Sequence, residues 1–215
     1  PEKVEVVGMP VRKEFLFTTK EQARKALGVA EPLVVSAFGS QGAKVMNETI
    51  ADMMVLEQAD GFPFRHIHAT GSFGKEWMPK RVKDNGVDYE NCPAIDIREY
   101  IYDMPTVLTA ADVVIGRAGS ATCNEIAASG TPCILVPSPN VTNNHQEKNA
   151  RVLESGGGAV VLLEKDCTAE TLYGLIRQLL ADETRRAQMS RKLHAQLRPD
   201  STDRICAIVE EITGR

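Results

Sequence analysis

The sequence predicts an α/β protein built on a doubly wound, Rossmann-like parallel sheet. Short apolar segments alternate along the chain with segments of helical length. The short segments are apolar throughout, which is typical of parallel strands covered on both faces. Turns rich in small residues follow several of them, at the points where a strand passes into a helix. Right-handed crossovers between such strands give a doubly wound sheet.

The elements follow in a regular order. Thr19 and Gln22 have the spacing of a capping box, which begins a helix that Gly28 ends. The apolar segments predicted as strands are 32–37, 64–69, 94–97, 111–115, 131–136 and 159–163. The segments predicted as helices are 44–58, 103–110, 120–129, 143–154, 168–181 (with Thr168 as N-cap), 182–197 and 201–212. Between strands, 70–92 is expected to be a long polar loop, and the glycines at 156–158 are expected to end a helix.

The composition of the chain excludes some classes of function. The 215 residues carry a net charge of −4 and are 43% hydrophobic, which suits a globular domain and argues against a general nucleic-acid binder. No apolar run of about 18 residues predicts a transmembrane helix. The five cysteines contain no Cys-x-x-Cys pair and are odd in number, so buried, reduced thiols in a cytoplasmic protein are expected.

Three regions divide the chain. We interpret 1–18 as the remnant of an interdomain linker, 19–197 as a Rossmann-like ligand-binding domain and 198–215 as a C-terminal helix. The opening residues read as the end of a preceding segment, so a fragment or an excised domain is expected. A domain separated from its neighbour can expose its former interface, which makes self-association possible.

Four loops are expected to meet at one edge of the sheet, because the carboxyl ends of parallel strands lie together and ligands bind there. These loops are 38–43, 100–103, 116–120 and 137–146. The turn 116–120 is the most informative, since it joins an apolar strand to the N-terminus of a helix, where free N–H groups suit a phosphate or a sugar hydroxyl. Glu125, in the first turns of that helix, could accept two bonds from a ribose diol.

Other side chains suit the same ligand, and each has a simpler alternative. The turn 38–43 has two glycines that would admit a diphosphate and a Ser40 hydroxyl that could donate to it, or it is only a tight turn. Arg12 could reach a diphosphate as a fixed cation, or it is a surface arginine. His145, Gln146 and Asn149 could read sugar hydroxyls, whereas Asn143 or Asn144 could simply cap the helix.

Metal and catalytic residues are harder to find. His66 and His68 point the same way from one strand, but no third zinc ligand is evident, and we expect them at a strand end near the ligand edge. There is no Asp-x-Asp motif, so the site is expected to use no metal and no cofactor. No Ser/His/Asp or Cys/His array can be assembled from the spacing, and only His145 could serve as a base at the ligand edge.

Together these motifs resemble the C-terminal domain of the MurG family, the N-acetylglucosaminyltransferases of bacterial peptidoglycan synthesis. The resemblance covers nearly the whole chain in the expected order. It rests on Gly8–Arg12, Gly39–Ala43, Tyr100–Met104, Ala111–Ile115, Arg117–Glu125, Val136–Pro137 and His145–Ala150. It implies the C-terminal half of a two-domain GT-B enzyme, which holds the donor UDP-N-acetylglucosamine (UDP-GlcNAc).

The resemblance also implies roles for single residues. The backbone of Ile101 would receive uracil, and Glu125 would bind the ribose hydroxyls. Ser40 and Arg12 would contact the diphosphate, and Gln41 of the same turn is placed among the substrate-binding residues. The backbone of Ser120, Ala121 and Thr122 would serve the diphosphate and sugar, whereas His145, Gln146 and Asn149 would read the GlcNAc hydroxyls.

Two departures qualify the resemblance. The family's Gly-Asn-Pro is Gly8-Met9-Pro10 here. The family's N-terminal domain has no counterpart in these residues. The resemblance implies that this domain binds the lipid-linked acceptor, carries the catalytic base and attaches the enzyme to the cytoplasmic face of the membrane. Two alternatives remain open: a donor-binding subunit that needs a separate partner chain, and a glycolipid synthase of the same superfamily that uses UDP-glucose or UDP-galactose.

Overall fold

A six-stranded parallel sheet forms the centre of the computed structural model, which describes residues 4–214. The strands are β1 (Leu33–Ala37), β2 (Arg65–Ala69), β3 (Ile95–Arg98), β4 (Val113–Gly116), β5 (Cys133–Leu135) and β6 (Ala159–Val161). The helices are α1 (Glu14–Phe17), α2 (Lys20–Leu27), α3 (Lys44–Ala59), α4 (Trp77–Asp84), α5 (Met104–Ala110), α6 (Ser120–Ser129), α7 (His145–Ser155), α8 (Ala169–Ala181), α9 (Glu183–His194) and α10 (Ser201–Thr213). Short 3₁₀ turns lie at Thr142–Asn144 and Glu164–Asp166.

The strand order is β3-β2-β1-β4-β5-β6, with every neighbouring pair parallel. Val34 of β1 pairs with His66 on one side and Val113 on the other, so β1 and β4 are neighbours at the centre. The chain first winds outwards through β2 and β3 and then returns to β4, which makes the boundary of β1 and β4 the topological switch point. The predicted doubly wound α/β fold is confirmed.

Helices cover both faces of the sheet, because alternate residues of each strand point to opposite faces. Leu33 and Val35 of β1 belong to a core shared with α2, α5, α6, α7 and α9. Val34 belongs to a second core on the other face, packed against α3, α4 and α8. Both cores are built from side chains that are almost completely buried.

The six predicted strands are all present, with ends that differ by up to two residues. The capping box of Thr19 and Gln22 is confirmed, with Gln22 N donating to Thr19 Oγ1 and Thr19 N donating to Gln22 Oε1. Thr168 also caps its helix, through a reciprocal pair of bonds with Thr171. The Gly156–Gly158 segment follows α7 directly and leads into β6, as expected.

The prediction of a long loop over 70–92 was wrong, because that segment contains α4. Met78 and Val82 are buried on one face of this helix, but the helix has only eight residues, so its apolar stripe is too short to show in a polar segment. Pro79 lies in the first turn, where its missing N–H costs no helical hydrogen bond. The four-residue helix α1 was missed as well.

The cysteines follow the sequence expectation in part. All five are free; Cys123, Cys133 and Cys167 are buried, whereas Cys206 is exposed. No helix within residues 4–214 combines the length and the apolar character needed to cross a bilayer. Residues 1–3 of the predicted linker remnant and Arg215 of the predicted C-terminal helix lie outside the described residues.

Candidate functional site

The candidate site lies at the carboxyl edge of the sheet. Because all strands are parallel, the loops that follow β1, β3, β4 and β5 leave from this one edge, as the sequence predicted. The loops after β1 and β4 flank the switch point, where neighbouring crossovers go to opposite faces and leave a crevice. Residues 38–43 and 117–119 therefore form the centre of the site.

Helix α6 directs its N-terminus into this crevice. Gly119 is its N-cap, in an extended conformation with φ −65° and ψ 151°, and has no side chain to cap the helix. The first helical hydrogen bond runs from Cys123 N to Gly119 O at 2.9 Å. Among residues 4–214, the amides of Ser120, Ala121 and Thr122 have no hydrogen-bond partner. These free amides and the helix dipole make the end of α6 suitable for an anion.

Arg12 and Glu125 meet beside this helix end. Arg12 Nη2 lies 3.7 Å from Glu125 Oε1, and the Arg12 guanidinium also lies 5.7 Å from the centre of the Phe15 ring. Burial raises the pKa of the Glu125 carboxyl, and the nearby charge of Arg12 only partly offsets this effect. A half-buried carboxylate beside a more exposed arginine can accept hydroxyl donors while the arginine faces an anion.

The loop after β1 is fixed through its backbone to the loop after β2. Ser72 N donates to Ser40 O at 3.0 Å, and Phe73 N donates to Gln41 O at 3.1 Å. Gly42 has a φ of +79°, and a Cβ there would lie 2.1 Å from Thr70 O, so only glycine fits. The backbone is thus used for positioning, and the side chains of Ser40 and Gln41 remain exposed.

The loop after β3 presents Ile101 between two exposed tyrosines. The Ile101 side chain is buried, and the rings of Tyr100 and Tyr102 meet edge to face at 5.1 Å. In the described part of the chain, neither the amide nor the carbonyl of Ile101 has a hydrogen-bond partner. A backbone donor and acceptor are therefore available at this position for a planar ligand with complementary groups.

Helix α7 brings His145, Gln146 and Asn149 to the same edge, but each already makes one bond. His145 Nδ1 is 2.9 Å from Thr142 O and therefore carries the proton, which leaves Nε2 free to accept. Gln146 Oε1 accepts from Ser138 N at 2.9 Å, and Asn149 Nδ2 donates to Ala118 O at 3.0 Å. Gln146 uses its carbonyl oxygen and Asn149 its amide nitrogen to hold a loop, which leaves Gln146 Nε2 and Asn149 Oδ1 for a ligand.

The alternative of side-chain capping at α7 is wrong. Asn144 is the N-cap residue, but its side chain makes no cap bond and donates instead to Glu147 Oε2 at 2.7 Å. Both Asn143 and Asn144 are left-handed, with φ of 54° and 51°. Asparagine tolerates this conformation better than most residues, so the pair is explained by the turn it forms.

Two functional contacts were missed at the sequence level. Arg117 Nη1 donates to Val136 O at 3.0 Å, and its Nη2 forms a partly buried ion pair with Glu164. These contacts join the loop after β4 to the strands on its far side. The sequence motif contains Arg117, but no local pattern indicates its partner after β6.

The structure also contains a buried Ser–His–Glu array that the spacing of residues in the sequence does not reveal. His66 Nδ1 is 2.8 Å from Glu57 Oε1, and Ser36 Oγ is 2.7 Å from both His66 Nε2 and His68 Nδ1. The two histidines do point the same way, as predicted. All four side chains are fully buried. His68 lies next to the carboxyl end of β2, as expected, whereas His66 lies near its start, and burial keeps both rings away from a ligand.

Two cavities lie at opposite edges of the sheet. A cavity of about 510 Å³ lies along the carboxyl edge and is lined by Val45, Pro137, Ser138, Pro139, Asn144, Glu147, Leu163, Glu164 and Lys165. A larger cavity of about 650 Å³ opens at the amino edge of β4 and β5 and contains none of the predicted site residues. Within residues 4–214, no group of three or more His, Cys, Asp or Glu side chains is arranged to hold a metal ion.

Comparison with known proteins gives a consistent result. Residues 33–205 match the family model of the glycosyltransferase family 28 C-terminal domain. A relative from Acetivibrio thermocellus is 40% identical over 212 residues, which is 98% of this chain and 56% of the relative. A second, from Caldanaerobacter subterraneus subsp. tengcongensis, is 39% identical over 213 residues, or 98% of this chain and 57% of the relative. Both are named UDP-N-acetylglucosamine–N-acetylmuramyl-(pentapeptide) pyrophosphoryl-undecaprenol N-acetylglucosamine transferase.

Solved structures agree on the fold. The crystal structure of Acinetobacter baumannii MurG matches with a TM-score of 0.75 and 24% identity, over 98% of this chain and 58% of that one. A UDP complex of S. aureus MnaA matches with a TM-score of 0.63 and 12% identity, over 89% of this chain and 48% of that one. The chain spans a little over half the length of the curated relatives above. The match over 33–205 confirms the resemblance drawn from the motifs. The chain belongs to the glycosyltransferase family 28 and contains its C-terminal domain.

Proposed function

We propose that this chain is the donor-binding part of an inverting, metal-independent glycosyltransferase that transfers GlcNAc from UDP-GlcNAc to a lipid-linked N-acetylmuramoyl-pentapeptide. The observation that carries the proposal is the meeting of Arg12 and Glu125 beside the free amides of α6 at the switch point of the sheet. The relatives with this activity in their names match along 98% of the chain, which supports the same substrate class.

The diphosphate of the donor would lie at the N-terminus of α6. There the amides of Ser120, Ala121 and Thr122 would bind phosphate oxygens, and Arg12 would turn from Glu125 to the diphosphate. As the bond between C1 of GlcNAc and the diphosphate breaks, negative charge grows on UDP. The helix dipole and a fixed cation stabilise this charge, which is the role that a divalent metal ion has in other nucleotide-sugar enzymes.

The nucleoside would lie on the side of β3. The free amide and carbonyl of Ile101 would pair with uracil, and Glu125 would accept hydrogen bonds from both ribose hydroxyls. The side chains of Ser40 and Gln41 are exposed and would contact the diphosphate of the donor. On the other side, His145, Gln146 and Asn149 would read the GlcNAc hydroxyls with the groups that their own loop contacts leave free.

The remaining parts of the reaction would lie outside these residues. The 4-hydroxyl of the acceptor sugar would attack C1 with inversion, and its proton would pass to a base on another domain. That domain would also hold the lipid-linked acceptor at the cytoplasmic face of the membrane. In this arrangement 1–18 is a linker, 19–197 the donor domain and 198–215 a terminal helix, and the chain by itself would transfer no sugar.

Calorimetric titration with UDP-GlcNAc, UDP-glucose and UDP in the presence of EDTA tests the proposal. We expect binding of UDP and tighter binding of UDP-GlcNAc than of UDP-glucose, unchanged when EDTA is replaced by Mg²⁺. Equal affinity for the two sugars would favour a glycolipid synthase, and loss of binding in EDTA would overturn the metal-free site. A folded chain that binds none of the three would overturn the donor-binding proposal.

A further inference from the structure

We infer that Arg198, in the turn before α10, and Ser201, the first residue of α10, are positioning residues for nucleotide binding. They act through the segment Glu5–Arg12, here called the strap. The inference rests on the proposed function, because the strap carries Arg12 to the proposed diphosphate site. Within residues 4–214, neither Arg198 nor Ser201 forms a hydrogen bond with a residue of that site. Their effect would pass along the strap, which connects the last helix to the N-terminus of α6.

One end of the strap is held by the region around α10. Arg198 Nη1 donates a hydrogen bond to Val6 O, and Arg204 forms a two-pronged ion pair with Glu5. Ser201 is buried and donates from Oγ to Arg198 O at 2.7 Å, which fixes the turn that presents the arginine. These contacts involve both backbone and side chains of the strap, so they hold its path as well as its charge.

Gly8 is the point of closest approach. Its φ is +84°, and a Cβ built there would lie 2.6 Å from Ser201 Oγ and 3.0 Å from Arg198 Cβ. Ordinary carbon contacts are about 3.5–4.0 Å, so a side chain at this position would force the side chains of Ser201 and Arg198, or the strap itself, to move. The glycine is thus required both by its backbone conformation and by the closeness of Ser201.

The other end of the strap lies on α6. Ser120 Oγ is 3.7 Å from Met9 Sδ, and Arg12 Nη2 is 3.7 Å from Glu125 Oε1. Val11, between them, packs against the core that α6 shares with α5. Met9 and Arg12 therefore touch both ends of the helical segment Ser120–Glu125, only one and four residues beyond Gly8. A small shift at Gly8 would move the guanidinium by a comparable distance, which is enough to weaken a charge-assisted bond.

The first test is Gly8→Ala in this chain, with UDP affinity measured by calorimetry. Gly28→Ala is the matched control, because Gly28 also has a positive φ, of +61°, but no atom lies within 4 Å of its Cβ position. Both variants carry the backbone strain of alanine in the left-handed region, and only one disturbs the strap. We expect Gly8→Ala to weaken UDP binding about tenfold, the scale of one charge-assisted hydrogen bond, and Gly28→Ala to stay within about twofold.

A double-mutant cycle separates positioning from general loss of structure. If the strap acts through Arg12, Gly8→Ala should have little further effect on UDP affinity when Arg12 is already alanine. Additive losses in the double variant, or equal losses from Gly8→Ala and Gly28→Ala, would overturn the inference. Arg198→Ala provides a second variant that adds no atoms, and it should weaken UDP binding in the same direction.

A ligand-free readout keeps the inference distinguishable from the proposed function. The Met9 methyl can be followed by NMR among the seven methionines of the chain, after assignment with Met9→Leu. Arg198→Ala should shift the Met9 signal because the strap moves over Ser120. If the unsubstituted chain binds no UDP, the proposed function fails and this signal decides whether the strap is held from α10. An unchanged Met9 signal would overturn the inference.

Discussion

Arg12 and Glu125, which come from the first loop and from the middle of the chain, lie 3.7 Å apart at the N-terminal end of α6. The charge of Arg12 offsets only part of the cost of burying the Glu125 carboxylate. The same two side chains are assigned to the two halves of a nucleotide, the diphosphate and the ribose. Binding would therefore exchange one ion pair for two separate sets of contacts, which makes this pair the most direct place to test the proposed site.

Glu125→Ala should abolish measurable UDP binding without unfolding the domain. The substitution removes an acceptor for two ribose hydroxyls, and a hydrogen bond to a charged group contributes about 1.5–3 kcal/mol. The loss should therefore exceed about 100-fold. Calorimetry measures the affinity, and circular dichroism with a thermal melt controls for folding. An affinity within about twofold of the unsubstituted chain would show that Glu125 does not bind ribose.

Glu125→Gln should raise Tm at pH 7.5 by about 1–3 °C, the scale of less than 1 kcal/mol in a domain of this size, while it weakens UDP binding. Burial raises the pKa of Glu125, so the folded state holds the proton more tightly than the unfolded chain. The ionised carboxylate thus lowers stability above the unfolded pKa, and an uncharged isostere avoids that cost.

The gain from Glu125→Gln should shrink as pH falls towards 4.5, the ordinary value of a glutamate, where the native side chain becomes neutral as well. The measurement is Tm of both proteins across this range. A variant that melts below the unsubstituted chain at pH 7.5 would mean that attraction to Arg12 outweighs the cost of burial.

Asp112→Asn should destabilise the fold by about 1–3 kcal/mol and leave UDP affinity unchanged. Asp112 precedes β4 at the amino edge of the sheet, where it accepts from Lys20 Nζ at 2.7 Å, Arg24 Nη1 at 3.0 Å and Leu33 N at 2.9 Å. Burial by itself would raise the pKa of Asp112, but the bonds from Lys20 and Leu33 and the charges of Lys20 and Arg24 lower it.

Because the folded-state pKa of Asp112 is lowered, its contribution to stability should be complete above the ordinary aspartate value of 3.8 and lost as pH falls further through the folded value. Urea unfolding of both proteins at pH 7 and at lower pH measures the difference. An unfolding free energy that is equal for the two proteins at pH 7 would contradict the role of this cluster, and reduced UDP affinity would contradict its separation from the site.

The difference between predicted and observed features has a physical cause. Strands such as β1 (Leu33–Ala37) and the capping box at Thr19 could be predicted because their signals are local: an apolar run, or two residues three positions apart. Helix α4 was not predicted because it has only eight residues, and its apolar face consists of Trp77, Met78 and Val82 alone, a pattern too short to stand out in a polar segment. The proximity of Glu125 to the N-terminus of α6 could also be predicted from local patterns, since both lie in one segment.

Pairing between distant segments was not predictable in the same way. The contact of Arg117 with Glu164 depends on how β4, β5 and β6 align, and nothing near Arg117 in the sequence specifies it. Likewise, the requirement for glycine at position 8 becomes evident only in the structure, where Ser201 lies against it. The buried Ser36 network also joins distant segments, because its members come from β1, β2 and α3. The sequence alone indicates only that His66 and His68 share one side of a strand.

Ser36→Ala should destabilise the protein by about 1–3 kcal/mol, the cost of leaving buried polar groups without partners. The Ser36 hydroxyl lies 2.7 Å from His66 Nε2 and from His68 Nδ1, so its loss removes a partner from both rings. Thr109→Val is the matched control, because Thr109 Oγ1 is buried without a hydrogen-bond partner in the described chain. Removing that hydroxyl should leave the unfolding free energy unchanged or raise it.

The same network should make the stability of the protein sensitive to acid. Burial, and then the neighbouring His66, hold the pKa of His68 well below its usual value, so His68 is neutral in the folded protein. The unfolded chain binds a proton near the ordinary histidine value of 6.5, and the folded state therefore loses stability as pH falls below that value. Urea unfolding at pH 7.5 and 5.5 measures the loss, and His68→Phe should reduce it. If His68→Phe leaves the loss of stability unchanged, the acid sensitivity comes from other groups, and the network is not its source.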